Sequence, residues 1–341
     1  MEARQTDRGI QVLRIIACFT VFLCHFCQRL YIWNISDDLY SVSQLGRFGV
    51  ELFFVISGYL ACFSLAKCKS VLNFYKKRAI RILVLYFVCI LYFFVTETFI
   101  FHDVPKDNMG LGWLRYIFCL NGIVPSEGYF WSNLGITWTI PVFLMFYILA
   151  PLIITITKTT LSSAIVLIVS MGLAFGISKC NGWFSALTYL PCFSMGILAY
   201  NAKKENLKFI TALGLLLFIF VAKFSEYTGF MYVIVQVFQL SIVSAVFAII
   251  VLFTEEVRIK NEKAIKVLDV LDEHSYTLYL VHGITFCGIL DKFGVEAFGS
   301  LVVAIIARIL IAIVLTVILT IVVHRFVEKP IQNKLTKLII K

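Results

Sequence analysis

The chain has 341 residues, of which 60% are hydrophobic and 15% are charged, and its mean hydropathy is +0.92. This composition excludes an ordinary soluble domain and is typical of a polytopic membrane protein. The formal net charge of +10 does not call for a nucleic-acid partner, because basic residues concentrate at the inner membrane surface, where they bind anionic lipid.

Apolar stretches of about 20 residues recur along the chain, and short polar loops separate them. Each stretch is long enough to cross the hydrocarbon core of a bilayer as a helix. We therefore predict one all-α transmembrane domain over residues 1–341 with about ten spans. The spans cover roughly residues 10–33, 47–67, 82–102, 136–157, 160–179, 183–201, 207–225, 230–253, 275–292 and 299–324.

Basic residues set the expected orientation. Most of the 30 Lys and Arg residues fall on one side if the N-terminus is cytoplasmic. By the positive-inside rule both termini are predicted to be cytoplasmic, as an even number of spans requires. The first apolar run is too long for a signal peptide and lacks a small-residue cleavage site, so we expect it to anchor the chain in the inner, cytoplasmic membrane of the cell.

The first span carries two ionisable residues, Arg14 and His25, which are costly inside a membrane. Their separation of eleven residues is about three helical turns, so both side chains project from nearly the same face, about 16 Å apart along the axis. This places a cation near the inner surface in line with a proton-transfer group deep in the bilayer. Alternatively, Arg14 extends to the lipid headgroups and His25 is a hydrogen-bonded packing residue.

The second span begins near Glu51, which enters the membrane from the outer side. In an antiparallel hairpin its depth differs from that of His25 by about one helical turn, so the two side chains are within reach of each other. A carboxylate there would hold the imidazole in one tautomer and stabilise its protonated form. Alternatively, Glu51 faces an aqueous cavity or pairs with Arg47.

A basic cluster precedes the third span and contains Lys77, Arg78 and Arg81. These residues are three and four positions apart, so on a helix they share one face. Guanidinium groups offer a planar fork to phosphate oxygens, and the cluster therefore suits a phosphorylated ligand as well as lipid headgroups. Further along, the apolar segment from Leu111 to Leu120 is too short to span and predicts an interfacial or re-entrant helix.

The ordered set of these segments resembles the acyltransferase 3 family of membrane-bound acyltransferases, which includes O-acetyltransferases of bacterial surface polysaccharides. The matching segments run from the first span to the last: the Arg14 to His25 spacing, Gly49-Val-Glu-Leu-Phe-Phe-Val-Ile-Ser-Gly58, Arg78 to Tyr86, Trp138-Thr-Ile-Pro with Phe146-Tyr147 and Pro151, Ser275-Tyr-Thr-Leu-Tyr-Leu-Val-His282 and Arg325-Phe-Val-Glu-Lys-Pro330.

The resemblance implies a ten-span helical bundle that moves an acyl group, usually acetyl, from cytoplasmic acyl-CoA to a hydroxyl of an extracytoplasmic or lipid-linked glycan. It places the essential histidine of the family on His25 and the basic partner on Arg14. Two departures are visible. Many relatives have a glutamate pair where this chain has Phe143 and Leu144, and many have proline where it has Val84.

A thioester needs mainly a base for the acceptor proton, an oxyanion donor and alignment. We expect His25 to be that base, or, as an alternative, to carry the acyl group as a nucleophile. We expect Glu51 to assist it, and Arg14, Arg78 and Arg81 to bind the CoA phosphates. The candidates for oxyanion or acceptor contacts are Ser57, Trp138, Tyr147, Tyr276, Tyr279 and His282.

We expect acetyl-CoA or another acyl-CoA to be a substrate, with no tightly bound cofactor. We also expect no metal site, because the ten cysteines are scattered, mostly within spans, where they suit packing as small apolar residues. His274 and His324 lie near predicted span ends, where interfacial placement explains them, and His282 fits packing as well as catalysis.

Two other classes of function are possible from the sequence. A transporter or flippase of a lipid-linked saccharide would equally contain buried Arg, Glu and His and basic loops. An inactive membrane partner of another enzyme is disfavoured, because both Arg14 and His25 are present. An enzyme consumes acetyl-CoA, whereas a flippase changes the sidedness of its substrate without covalent change.

Overall fold

A computed structural model describes residues 8–32, 38–100, 102, 110–125, 132–227, 232–254, 259, 261–290 and 301–340. Every named element within these ranges is a helix, which confirms the all-α prediction. The α-helices are α1 Arg8–Ile32, α2 Asp38–Ser43, α3 Gly49–Lys67, α4 Val71–Val95, α5 Leu114–Ile117, α6 Thr139–Ile156, α7 Thr160–Ser178, α8 Leu190–Lys204, α9 Lys208–Tyr227, α10 Tyr232–Thr254, α11 Glu262–Gly283, α12 Leu301–Val323 and α13 Lys329–Ile339.

Six helical segments in the described ranges are long and apolar enough to cross a membrane by themselves. They are Arg8–Tyr31, Gln44–Lys67, Val71–Ile100, Leu134–Ile156, Thr160–Ser178 and Ile306–Ile339. Each of the ten predicted spans overlaps a helix, but ten crossings and the cytoplasmic position of both termini stay predictions.

Two helices begin well before the apolar segments that predicted them. α4 begins at Val71 because the Ser70 side chain accepts a hydrogen bond from the Asn73 backbone N–H. α11 begins at Glu262 because the Asn261 side chain caps it by accepting from two backbone N–H groups of the first turn. The polar first turns therefore extend both helices beyond the apolar core. The predicted helix over Leu111–Leu120 is confirmed only as the single turn of α5.

Helices α3 and α8 approach closely through two glycines that face each other's backbones. A Cβ atom on Gly58 of α3 would overlap the Phe193 carbonyl of α8, and a Cβ on Gly196 of α8 would overlap the Val55 carbonyl of α3. Small residues at such crossings let membrane helices approach closely, because packing rather than water exclusion drives their association. The α3–α8 pair is thus a close-packed centre of the bundle.

Helix α1 packs against both α3 and α11. After α11 ends at Gly283, the chain continues as a π-helix over Ile284–Ile289. Here a small apolar cluster brings together three parts of the chain. Phe22 of α1 packs with Phe286 and Leu290, which lie in and just after the π-helix, and with Ala312 of α12. This packing fixes the face of α1 that carries Arg14 and His25 against α11.

Candidate functional site

Two imidazole rings from opposite ends of the chain meet between α1 and α11. The rings of His25 and His282 stack with their centroids 5.2 Å apart and their planes 26° apart. We call these two residues the imidazole pair. His25 is partly buried, whereas His282 is only 1% exposed.

The tautomer of His25 is set by Gln28, one turn further along α1. His25 Nδ1 lies 2.9 Å from Gln28 Oε1, and the Gln28 amide nitrogen donates to Cys24 Sγ at 3.5 Å. Because Oε1 can only accept, Nδ1 carries the hydrogen and donates it. The lone pair of the neutral ring is therefore on Nε2, as a general base requires.

His282 lies in a mostly aromatic shell. Its ring centroid is 6.3 Å from Phe22, 5.7 Å from Phe286 and 5.9 Å from Tyr279. Nδ1 donates to the Leu278 carbonyl at 3.2 Å, and the buried Nε2 has no hydrogen-bond partner within the described ranges. A buried polar atom without a partner costs about 1–3 kcal/mol, so this nitrogen is a place where a bound molecule would gain a contact.

The sequence predicted that Glu51 would hold His25, whereas Gln28 occupies Nδ1 in the structure. Glu51 is 7% exposed, and its Oε2 has no hydrogen-bond partner in the part of the chain described. It lies within electrostatic range of Tyr279 and of Tyr189. Glu51 is therefore near the ring that borders His282, and a direct catalytic role for it stays a prediction.

Arg14 makes an ion pair that the sequence did not anticipate. Its guanidinium donates to Asp272 Oδ2 of α11 at 2.5 Å, and Arg81 of α4 lies within electrostatic range of the same carboxylate. Asp272 precedes the apolar part of α11. Burial raises the pKa of its carboxyl, and the Arg14 and Arg81 guanidinium groups act in the opposite direction. Two of the three predicted phosphate-binding arginines thus converge on one acidic group.

The third arginine, Arg78, contacts residues other than Asp272. It donates to Ser64 Oγ of α3 at 2.5 Å, and its guanidinium carbon lies 4.9 Å from the centroid of the Tyr147 ring and 5.4 Å from that of Phe74. Such stacking holds the planar guanidinium in one orientation. Tyr147, a predicted oxyanion contact, is consequently placed beside the arginine and serves as its platform.

The remaining candidates divide by position. The Tyr279 hydroxyl shares a hydrogen bond of 3.1 Å with Thr139 Oγ1, next to the imidazole pair. The Tyr276 hydroxyl donates to the Ile82 carbonyl at 2.9 Å and ties α11 to α4. Trp138 packs on Tyr189 with centroids 5.0 Å apart, and Ser57 is partly buried on α3.

Phe143 and Leu144, where the family resemblance implies a glutamate pair, are packed among apolar side chains. The Phe143 ring lies 5.1 Å from Phe54 and 6.0 Å from Phe193, and Leu144 is partly buried against the main core. Aromatic contacts of this kind stabilise by area and by ring geometry. Neither of these two positions supplies a polar group to the site.

Sequence reasoning missed Gln28 and Asp272. Gln28 carried a usable signal, because a residue three positions after His25 shares its helix face. Asp272 carried none, since only the packing of α1 on α11 brings it to Arg14.

The described helices include six that are long and apolar enough to cross a membrane, and they bring together the imidazole pair and, separately, Arg14 with Asp272. Comparison with family models matches residues 7–325 to the acyltransferase 3 family, described as an acyltransferase domain. The chain belongs to this family, which supports a membrane acyltransferase. No significant match was found among curated proteins or solved structures.

Proposed function

We propose that the chain is an integral membrane O-acyltransferase that uses acyl-CoA, most simply acetyl-CoA, as its donor. The acceptor is a hydroxyl of an extracytoplasmic or lipid-linked glycan. The observation that carries the proposal is the order of polar groups along α1: Arg14 with Asp272 at one level, and the imidazole pair about 16 Å further along. This order suits a donor whose phosphates stay at the inner surface while its thioester lies within the bilayer.

In the chemical step, His25 Nε2 accepts the proton of the acceptor hydroxyl. The hydroxyl oxygen then forms a bond to the thioester carbonyl carbon, the C–S bond breaks, and the CoA thiolate leaves and takes up a proton. The contact from Nδ1 to Gln28 supports this role, because it leaves the lone pair on Nε2. The alternative, an acyl group carried on His25 itself, starts from the same lone pair.

Donor binding rests on Arg14, Arg78 and Arg81. Guanidinium groups bind phosphate through paired hydrogen bonds, and the platform under Arg78 orients one of these groups in advance. Asp272 neutralises Arg14 in the absence of donor, so a CoA phosphate has to compete with this carboxylate.

Tyr279 is the oxyanion donor that the geometry favours among the candidates. Its ring lies 5.9 Å from that of His282, and when the Thr139 hydroxyl donates to the Tyr279 oxygen, the Tyr279 hydrogen is left for the oxyanion. The hydroxyl of Tyr276 is already committed to a backbone carbonyl away from the pair. A donor aimed at the developing charge typically contributes about 10²- to 10³-fold in rate.

The test is transfer of labelled acetyl from acetyl-CoA to membrane glycan in reconstituted vesicles. His25→Ala is expected to lose about 10²- to 10⁴-fold in rate while keeping its donor affinity and melting temperature. His102→Ala is the matched control, because His102 is exposed and lies outside the site. Near-normal transfer by His25→Ala would contradict the mechanism. Movement of a lipid-linked sugar across the membrane without CoA release would favour the transporter.

A further inference from the structure

A second cluster of ionisable side chains lies where α11 meets the end of α12, and neither the imidazole pair nor the arginines use it. Glu273 and His274 are neighbours on α11, and His324 opens the π-helical segment His324–Glu328 that joins α12 to α13. One ligand-capable atom from each of the three residues lies within 4.8 Å of the others. The two imidazole centroids are 4.4 Å apart. Short π-helical segments frequently occur at functional sites.

The hydrogen bonds of the two histidines leave a lone pair on each ring. His324 Nδ1 lies 2.9 Å from Oε2 of the buried Glu328, and His274 Nδ1 lies 2.8 Å from the Val270 carbonyl oxygen. A carboxylate and a carbonyl both accept, so Nδ1 is the donor in each ring. The Nε2 atoms of both neutral rings are therefore available as ligands.

The contact between His324 and Glu273 requires a positive charge, either on the ring itself or on an ion bound between the two groups. His324 Nε2 lies 3.3 Å from Glu273 Oε1, so a lone pair faces a carboxylate oxygen when the ring is neutral. A distance of about 3.3 Å is also the edge of a tetrahedron of ligands held about 2.0–2.1 Å from a central zinc ion. Lys329 Nζ lies 2.6 Å from the same Glu273 oxygen, but its side chain is 55% exposed and is free to move outward.

The hydrogen bonds that the two histidines make through Nδ1 are of the kind seen around metal-binding histidines. Metal-binding histidines usually donate their second ring hydrogen to a carboxylate or backbone carbonyl, which fixes ring orientation. His324 has the first arrangement with Glu328, and His274 has the second with Val270. Glu328 is itself held by a hydrogen bond from the Thr277 hydroxyl.

We infer that His274, His324 and Glu273 form a binding site for a divalent transition-metal ion of the zinc class. Three protein ligands leave a fourth position for water. The ion connects α11 to the junction of α12 and α13, and it thereby fixes the segment of α11 from which Asp272 reaches Arg14. The sequence placed the two histidines separately at the membrane interface and predicted no metal site, because the cysteines are scattered and because His324 is far along the chain from Glu273 and His274.

The experiment uses the full chain in detergent, with any affinity tag removed and bound metal stripped by a chelator. Zn²⁺ is titrated calorimetrically, and Co²⁺ serves as an optical probe of tetrahedral coordination. The wild type and the His102→Ala control are expected to bind one equivalent. His274→Ala and His324→Ala are expected to lose the cobalt spectrum and at least about 100-fold in zinc affinity. Glu328→Gln removes an outer contact and is expected to weaken binding about 10- to 100-fold.

Equal zinc affinity in the wild type and both histidine variants would overturn the site, as would the absence of binding by the wild type. In that second case the contacts of His324 with Glu273 and Glu328 form a network that holds no metal. His324 is buried, so its alanine variant risks misfolding. His274→Ala, at the partly exposed edge of the cluster, then decides the question alone.

Discussion

His282 stacks on His25 while its own Nε2 atom remains buried without a hydrogen-bond partner in the described structure. An unpaired polar atom lowers stability, and a protein that only needed packing would do better with a phenylalanine at this position. The structure therefore makes a prediction in which stability and activity move in opposite directions.

His282→Phe keeps an aromatic ring against His25 and removes the unpaired nitrogen. We expect a melting temperature equal to or above that of the wild type and a loss of about 10- to 100-fold in acetyl transfer, smaller than the loss in His25→Ala. The measurements are thermal unfolding and the vesicle transfer assay. Transfer at the wild-type rate in His282→Phe would show that the residue only packs.

Under the proposed function Gln28 is a positioning residue, because it contacts His25 and would act on the substrate only through that ring. Gln28→Leu removes the acceptor for Nδ1–H, so we expect kcat to fall about 10- to 100-fold with little change in KM for acetyl-CoA. Gln28→Glu restores an acceptor and is expected to recover most of the rate.

The control for this pair is Gln239→Leu, because it makes the same change of side chain at an exposed glutamine of a different helix, α10. A further readout is the pH profile. Gln28→Glu brings a negative charge to the imidazole, which favours the protonated ring and moves the acid limb of the profile to higher pH. Equal rates in Gln28→Leu and the wild type would contradict the assignment.

How far the site was predictable depends on the range of each contact. The face shared by Arg14 and His25 followed from the helical period alone. The contacts of His25 with His282 and of Arg14 with Asp272 depend on α11 packing against α1, and helical periodicity contains no information about which helices become neighbours. Helix ends were missed for a different reason: polar caps at Ser70 and Asn261 extend helices past their apolar segments.

Asp272→Asn tests the competition at Arg14. The amide keeps a hydrogen-bond acceptor but removes the charge that a CoA phosphate has to displace, so we expect donor affinity to increase about three- to tenfold. Calorimetric or spectroscopic titration of acetyl-CoA measures it.

The pH dependence of the same pair has a definite sign. Burial raises the pKa of Asp272, so the carboxyl becomes neutral as the pH falls through that value and releases Arg14. Wild-type donor affinity is therefore expected to approach that of Asp272→Asn at low pH, and the two are expected to differ most at high pH. Protonation of the donor phosphates affects both proteins alike. A difference independent of pH would contradict the competition.

The predicted topology is tested by single cysteines in a background without native thiols. Cysteines at Lys69 and Asn261 are expected to react only from the cytoplasmic side, and one at Gly110 only from the other side. The helix α4 with its π-helical extension to Ile100 lies between Lys69 and Gly110. Labelling of these two positions from the same side would show that this segment does not cross the membrane.

The contact between α3 and α8 predicts a large effect from one added methyl group. Gly196→Ala places a Cβ against the Val55 carbonyl, and Gly58→Ala does the same at Phe193, so the helices have to separate. We expect each variant to lose about 1–3 kcal/mol of stability, because the overlapping atom is a backbone carbonyl, which cannot rotate away as a side chain can.

Gly172→Ala on α7 is the matched control, since nothing lies within 4 Å of its added Cβ and alanine favours the helix. Thermal unfolding in detergent measures all three variants, and equal melting temperatures for Gly196→Ala and Gly172→Ala would show that α3 and α8 are not in close contact.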